Sequence, residues 1–172
     1  MFNDWLQALG KLGYLQGKDR PNVDCILCSI RDNENTVVSL KIYHDDILFI
    51  SLNLYPYNPG HLMIIPNRHI TKFTELTKQE IIHISRTMQG IQLLLNELYN
   101  PKGYNIGINQ NIVSGGSIEH LHVHIVPRYK AELGFIDIIG KTRVLPEGLD
   151  MVMKKLIENI GKFLNKDFFS SF

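Results

Sequence analysis

The chain carries almost no surplus charge: 18 Lys and Arg stand against 17 Asp and Glu, a formal net charge of +1. So small an imbalance gives no general pull toward nucleic acid or an anionic membrane, and no basic stretch is interleaved with aromatics, so any affinity for phosphate has to be local. Long hydrophobic runs are missing as well. None approaches the roughly 18 residues of a membrane span, and Met1-Phe2-Asn3-Asp4 lacks the positive start of a secretory leader, so a soluble, cytoplasmic protein without membrane or nucleic-acid partners is expected. Cysteine is scarce too: Cys25 and Cys28 are the only two. That excludes a disulfide scaffold, and in a reducing compartment such a pair more often serves metal or redox chemistry. No cluster of carboxylates offers a seat for catalytic magnesium, and nothing points to an organic cofactor. What the chain has is 172 residues with 44% hydrophobic content, enough for one domain burying roughly 70% of its unfolded surface.

Residues 2–15 place Phe2, Trp5, Leu6, Leu9 and Leu12 at helical spacing, which predicts a short amphipathic helix. The polar, turn-rich stretch Gly17 to Asn22 then reads as a linker, giving an extension over 1–20 ahead of a single domain over 21–172. Thr36–Tyr43 and Ile47–Leu52 are rich in β-branched and apolar residues and form a predicted hairpin. A loop with two prolines, Asn53 to Gly60, leads to a third strand, His61–Ile65. Thr77-Lys78-Gln79-Glu80 has the form of a capping box. It opens a long helix to Tyr99 whose apolar positions, Ile81, Ile84, Met88, Ile91, Leu94, Leu95 and Leu98, recur every three or four residues. Tyr104–Asn109 is a fourth strand, the histidine-bearing stretch described next a fifth, and Leu149–Leu164 a last helix. No βαβ alternation occurs, so the expected class is α+β: a five-stranded antiparallel meander with one long and one C-terminal helix.

The most informative stretch is Glu119-His120-Leu121-His122-Val123-His124-Ile125-Val126-Pro127-Arg128. Strict alternation is the mark of a half-buried strand, so His120, His122 and His124 should share one face about 7 Å apart while Leu121, Val123 and Ile125 pack the other. Just before it lies Ser114-Gly115-Gly116-Ser117, where consecutive glycine amides can converge on an anion and the Ser117 hydroxyl adds a donor. A plain hairpin would also accept Gly-Gly; the position beside the histidines favours phosphate. The pair Cys25-Ile26-Leu27-Cys28 admits three readings from its own residues: half of a tetrahedral metal site, a thioredoxin-like redox pair, or two small buried residues. A redox pair should open a helix within a βαβ unit, and a solvated Arg31 to Asn35 follows instead. A metal site needs two more ligands, and no histidine pair follows closely enough for a zinc finger.

The alternating histidines with Pro127-Arg128, together with Asn53 to His61 and Gly103 to Gly107, resemble the histidine triad family of nucleotide hydrolases and transferases. The likeness covers roughly residues 24–147. The spacing and Thr142-Arg143-Val144-Leu145-Pro146-Glu147 look most like the branch that cleaves diadenosine polyphosphates. The resemblance implies a structural zinc on Cys25, Cys28, His69 and His120. It implies His122 as nucleophile, aimed by a bond from its other nitrogen to a carbonyl, and His124 as donor to the leaving oxygen, with His61 holding the constellation. Asn53 matches a ribose-contacting position, Asn109 a phosphate-contacting one and Asn105 a weaker polar contact, beside Gly115, Gly116 and Ser117. Water or inorganic phosphate would resolve a nucleotidyl-histidine, and a homodimer through the long helix and the strand after it would be the working unit. A phosphoramidate hydrolase, or a zinc-stabilised nucleotide binder without catalysis, shares most of these residues. One departure stands out: Ala131-Glu132-Leu133-Gly134-Phe135 occupies the place where relatives usually read Gly-Asp-any-Asn-Phe, which bears on the substrate and not on the nucleophile.

Overall fold

Asp45 makes the first hairpin. Its Oδ1 accepts from the Ile47 and Leu48 amides at 2.9 and 3.0 Å, an Asx turn that joins β1 (Lys41–His44) to β2 (Leu48–Leu52). A computed structural model describes residues 21–130, 132 and 147–170. The helix expected over 2–15, the Thr142 to Pro146 stretch and most of 131–135 lie outside the described residues. Strand β1 is shorter than expected because Val37 and Val38 stand apart from the ladder. Then come β3 (Leu62–Pro66), a 22-residue helix numbered α2 (Lys78–Tyr99), β4 (Gly103–Gly107) and β5 (Val123–Arg128), with a six-residue helix α1 (Ile26–Arg31) ahead of them all.

These strands form one five-stranded, wholly antiparallel sheet in the order β1-β2-β3-β5-β4, so the α+β class holds. The meander runs only as far as β3. Helix α2, about 33 Å long at 1.5 Å per residue, carries the chain along the sheet and sets β4 at the far edge. Strand β5 fills the gap against β3. Thr77 and Glu80 cap α2 reciprocally: Thr77 Oγ1 accepts from the Glu80 amide at 3.2 Å and Glu80 Oε2 from the Thr77 amide at 2.8 Å. The helix stops at Asn100, left-handed at φ 46°, before Pro101. Its inner stripe runs through Glu80, Ile84, Thr87, Ile91, Leu94 and Leu95, which leaves Ile81, expected inside, exposed. The predicted last helix is two: α3 (Leu149–Ile160) ends at Gly161, and α4 (Lys166–Ser170) starts where Asn165 Oδ1 caps the Phe168 amide at 2.8 Å. No described helix is long and apolar enough to cross a membrane.

Strand alternation divides the core. Leu48, Ile50, Leu52, Leu62, Ile64, Val123 and Ile125 pack on α2 and α3, while Phe49, Met63 and Ile65 pack on Ile26, Leu27 and Ile30 of α1. The functional side chains emerge on that second face. A Cβ on Gly90 of α2 would lie 2.4 Å from Leu164 Cδ2 and 2.8 Å from the Phe163 carbonyl oxygen, so Gly90 is where the helix meets the segment after α3. Gly90→Ala is expected to lower stability by about 1 to 3 kcal/mol, the usual cost of overpacking, seen as a lower urea midpoint with unchanged m-value.

Candidate active site and metal centre

Alternation holds where the ladder holds. His124 pairs with Met63 and Gly107 across β5, with Val123 and Ile125 turned toward the helices. The ladder begins only at Val123, so the expected straight row of histidines does not form. His120 and Leu121 are tied instead to the chain leaving β3: His120 Nε2 meets the Pro66 carbonyl at 3.0 Å and the Leu121 amide donates to Ile70 O at 2.7 Å. His120 therefore turns toward the cysteines while His122 and His124 stay together, ring centroids 4.8 Å apart. His61 completes a second pair, 5.2 Å from the His124 ring.

Backbone groups decide which ring nitrogens carry protons. The His120 carbonyl can only accept, so His122, 2.7 Å away through Nδ1, is protonated there and its Nε2 is the basic nitrogen. The Tyr57 amide can only donate, and it reaches His61 Nδ1 at 3.2 Å, so neutral His61 holds its proton on Nε2. That nitrogen lies 3.0 Å from His124 Nδ1, which accepts from it, the Asn53 Nδ2 donor standing farther off at 3.4 Å. Neutral His124 is thus protonated at Nε2. A lone pair on one histidine and an N–H on the next line the same cleft. The Tyr57 ring stacks on His61 at 5.2 Å and fixes its plane.

Asn53, Asn109, Gly115 and Ser117 line this cleft with the histidines; Asn53 is braced by its Oδ1 accepting from the Tyr55 amide at 2.9 Å. Asn105 is not brought there. It sits on the edge strand β4, where its Oδ1 accepts from Arg128 Nη1 at 2.7 Å. The glycines also differ in role from the expectation: the Gly115 amide donates to Ile112 O at 2.9 Å and the Gly116 amide to Asn111 O at 3.2 Å. Both donors are thus engaged inside the loop. Gly115 is needed for its φ of 89°, and Gly116 because a Cβ there would lie 2.7 Å from Asn109 O. The pair shapes the loop, and Ser117 lines the cleft. The other half of the cleft is apolar, formed by Ile26, Leu27, Ile30, Val37, Val38, Leu40 and Leu54. Nothing in the sequence marks this wall: Val37 and Val38 read as strand residues and α1 as the interior of a cysteine pair.

Cys25, Cys28, His69 and His120 converge, each offering one ligand atom, all within 4.8 Å of one another. Cys25 Sγ lies 3.4 Å from His120 Nδ1, and Cys28 Sγ lies 3.3 Å from His69 Nδ1 and 3.5 Å from His120 Nδ1. Sulfur and nitrogen ligands of a tetrahedral zinc-sized ion stand about 3.5 Å apart, so the residues fit. His120 also has the outer partner such ligands use, a backbone carbonyl on its second nitrogen. Burial holds its imidazole down to about 4, keeping it neutral and ligand-competent, and burial with the neighbouring Cys25 raises the Cys28 thiol to about 11. The four side chains could hold a metal ion.

The His69 segment is anchored by Arg68, whose guanidinium meets both Glu80 carboxylate oxygens at 2.8 Å. Arg68 and the Thr77 cap hold the Glu80 carboxyl down to about 2. A depressed carboxylate stabilises the fold above its unfolded pKa of about 4.5 and loses that contribution as pH falls toward 2. Glu80→Gln is therefore expected to lower stability at pH 6 and to flatten its decline between pH 4.5 and 2. Urea midpoints across that range are the check.

Residues 34–131 match the HIT domain family over more than half of the chain. The chain belongs to the HIT family. It is 39% identical over 119 residues to a Mycobacterium tuberculosis AP-4-A phosphorylase, the alignment covering 69% of this chain and 59% of that protein. It is 30% identical over 103 residues to the asymmetrical bis(5'-nucleosyl)-tetraphosphatase of Schizosaccharomyces pombe, covering 60% of this chain and 57% of the relative. The HIT chain thus spans a little under three fifths of the length of these relatives. Among solved structures, a hypothetical histidine triad nucleotide-binding protein from Sulfolobus tokodaii superposes with a TM-score of 0.67 at 25% identity, covering 80% of this chain and 93% of that one.

Proposed function

We propose that the chain cleaves dinucleoside polyphosphates at the α-phosphate by nucleotidyl transfer to His122. The observation that carries this reading is the pair of opposite tautomers: a basic Nε2 on His122 and an Nε2–H on His124, each set through a backbone group and both lining one cleft. The His122 lone pair attacks phosphorus, a P–N bond forms, and the bond from phosphorus to the bridging oxygen breaks. The leaving phosphate departs as an anion, its charge stabilised by a hydrogen bond from His124. Water or inorganic phosphate then attacks the same phosphorus and restores His122. The apolar wall suits the nucleobase, Asn53 the ribose, and Asn109 with Ser117 the phosphate. The names of the two relatives support diadenosine polyphosphate as the substrate class. Incubation with diadenosine tetra- and triphosphate, with and without phosphate, is the test: from the tetraphosphate, AMP with ATP marks hydrolysis and ADP with ATP appearing only with phosphate marks phosphorolysis, while the triphosphate releases ADP in either case and AMP alone marks its hydrolysis. No cleavage of either would refute the reading.

Zinc is the metal proposed for Cys25, Cys28, His69 and His120, since two thiolates and two imidazoles are a donor set that tetrahedral zinc favours. Bound there, it would supply a structural tie with no open position for substrate. A homodimer is proposed through α2 and β4. Among the described residues strand β4 is an edge, and Ile106 on it, with Ile82 and Leu93 on α2, is exposed; such an edge is normally covered. Sedimentation is expected to give a dimer at micromolar concentration and Ile106→Asp a monomer, whereas wild type sedimenting only as monomer would refute the pairing.

A further inference from the structure

The metal cluster and the nucleotide cleft share parts. Helix α1, of six residues, is too short to hold itself together. Cys25 caps it, its Sγ 3.4 Å from the Cys28 amide that donates to it, and the two sulfurs are half of the metal ligands. Ile26, Leu27 and Ile30 of the same helix form the apolar wall of the cleft. A second connection runs through His120. Its Nδ1 faces the cysteines, its Nε2 meets the Pro66 carbonyl at 3.0 Å, and its own carbonyl accepts from His122 Nδ1 at 2.7 Å. An ion on Nδ1 requires the proton on Nε2, which is the tautomer the Pro66 carbonyl also requires.

We infer that Cys25, Cys28, His69 and His120 are positioning residues for the nucleotide site: an ion among them sets both the α1 wall and the His120 carbonyl that aims His122, so metal and nucleotide bind cooperatively. This rests on the functional and metal readings above. Coupling between two sites is reciprocal. A nucleotide that draws Ile26, Leu27 and Ile30 onto its base shifts Cys25 and Cys28 with them, and the coordination geometry responds. Metal affinity in turn rises with nucleotide present, by about tenfold if the coupling is of ordinary size.

Cobalt(II) in place of zinc makes this visible, because its d–d bands report the geometry of the ligand set and its thiolate charge-transfer band reports the cysteines. The intact cobalt-loaded protein is titrated with AMP, and AMP binding is followed in parallel by calorimetry. The expected result is a shift of the d–d bands that saturates with the calorimetric Kd, together with about tenfold tighter metal binding at saturating AMP. Bands that stay unchanged at saturating AMP overturn the inference, whatever the metal affinity does, because a purely structural ion could tighten through fold stability but would leave its coordination sphere undisturbed. Absence of AMP binding to the loaded protein counts against the functional reading, and absence of a charge-transfer band against the metal reading; either also overturns the inference.

Discussion

His122→Ala is expected to lower turnover of a dinucleoside polyphosphate by about four orders of magnitude or more, as removal of a nucleophile does. No other group in the cleft can take the role without rearrangement. His124 is 4.8 Å away between ring centroids, and its Nε2 carries a proton as long as Tyr57 and His61 hold their arrangement. His61 is fully buried and bonded on both ring nitrogens, so it positions His124. His124→Ala is expected to cost less, about two to three orders, because a phosphate leaves as an anion and loses only a stabilising hydrogen bond. Binding of a non-cleavable analogue should survive both changes, since Asn53, Asn109, Ser117 and the apolar wall remain. Steady-state and pre-steady-state rates against calorimetric Kd separate these effects; a His122→Ala protein with near-normal cleavage would assign the nucleophile elsewhere.

Loss of the metal is the second large effect expected. Cys28→Ser should lower the melting temperature by about 10 °C or more, because a structural metal contributes several kcal/mol and each kcal/mol shifts a domain of this size by about 2 to 4 °C. The ion would join the start of α1, the segment after β3 and the approach to β5, adding to the His120 and Leu121 bonds that already tie the last two. Of the ties between α1 and that segment, Arg31 reaches the Asn67 carbonyl. A strong chelator should bring wild type down to the Cys28→Ser value and leave the variant unchanged, followed by circular dichroism. A wild-type melting curve indifferent to both zinc and chelator would contradict the metal reading.

Much of this was legible in the sequence where local chemistry decides the outcome. The Thr77-to-Glu80 box opens α2 as its side chains require, and the alternation of Val123 and Ile125 with His124 sets which face of β5 meets the helices. The convergence of Cys25, Cys28, His69 and His120 was legible through the family pattern, because a lone cysteine pair admits three readings. What escaped depends on long-range packing. The placing of β5 between β3 and β4 is a property of where α2 delivers the chain. The turn of His120 away from His122 follows from hydrogen bonds to Pro66 and Ile70, fifty residues or more distant in sequence. Gly115 and Gly116 read as phosphate donors because they can adopt such a shape, yet the loop uses both amides to hold itself. Asn105 reads as a site residue by motif, and Arg128 occupies it. The cleft wall of Val37 and Val38 has no local mark at all, since an apolar pair on a strand and an apolar pair beside a base look the same.

An α-phosphorus attacked twice, first by His122 Nε2 and then by the acceptor, keeps a record of both attacks in its configuration. A dinucleoside polyphosphate carrying a chiral α-phosphorothioate is cleaved in isotopically labelled water or phosphate, and the configuration of the product is determined. Two in-line displacements through nucleotidyl-His122 predict retention. Inversion would mean a single direct attack by the acceptor, with no nucleotidyl-His122 on the path.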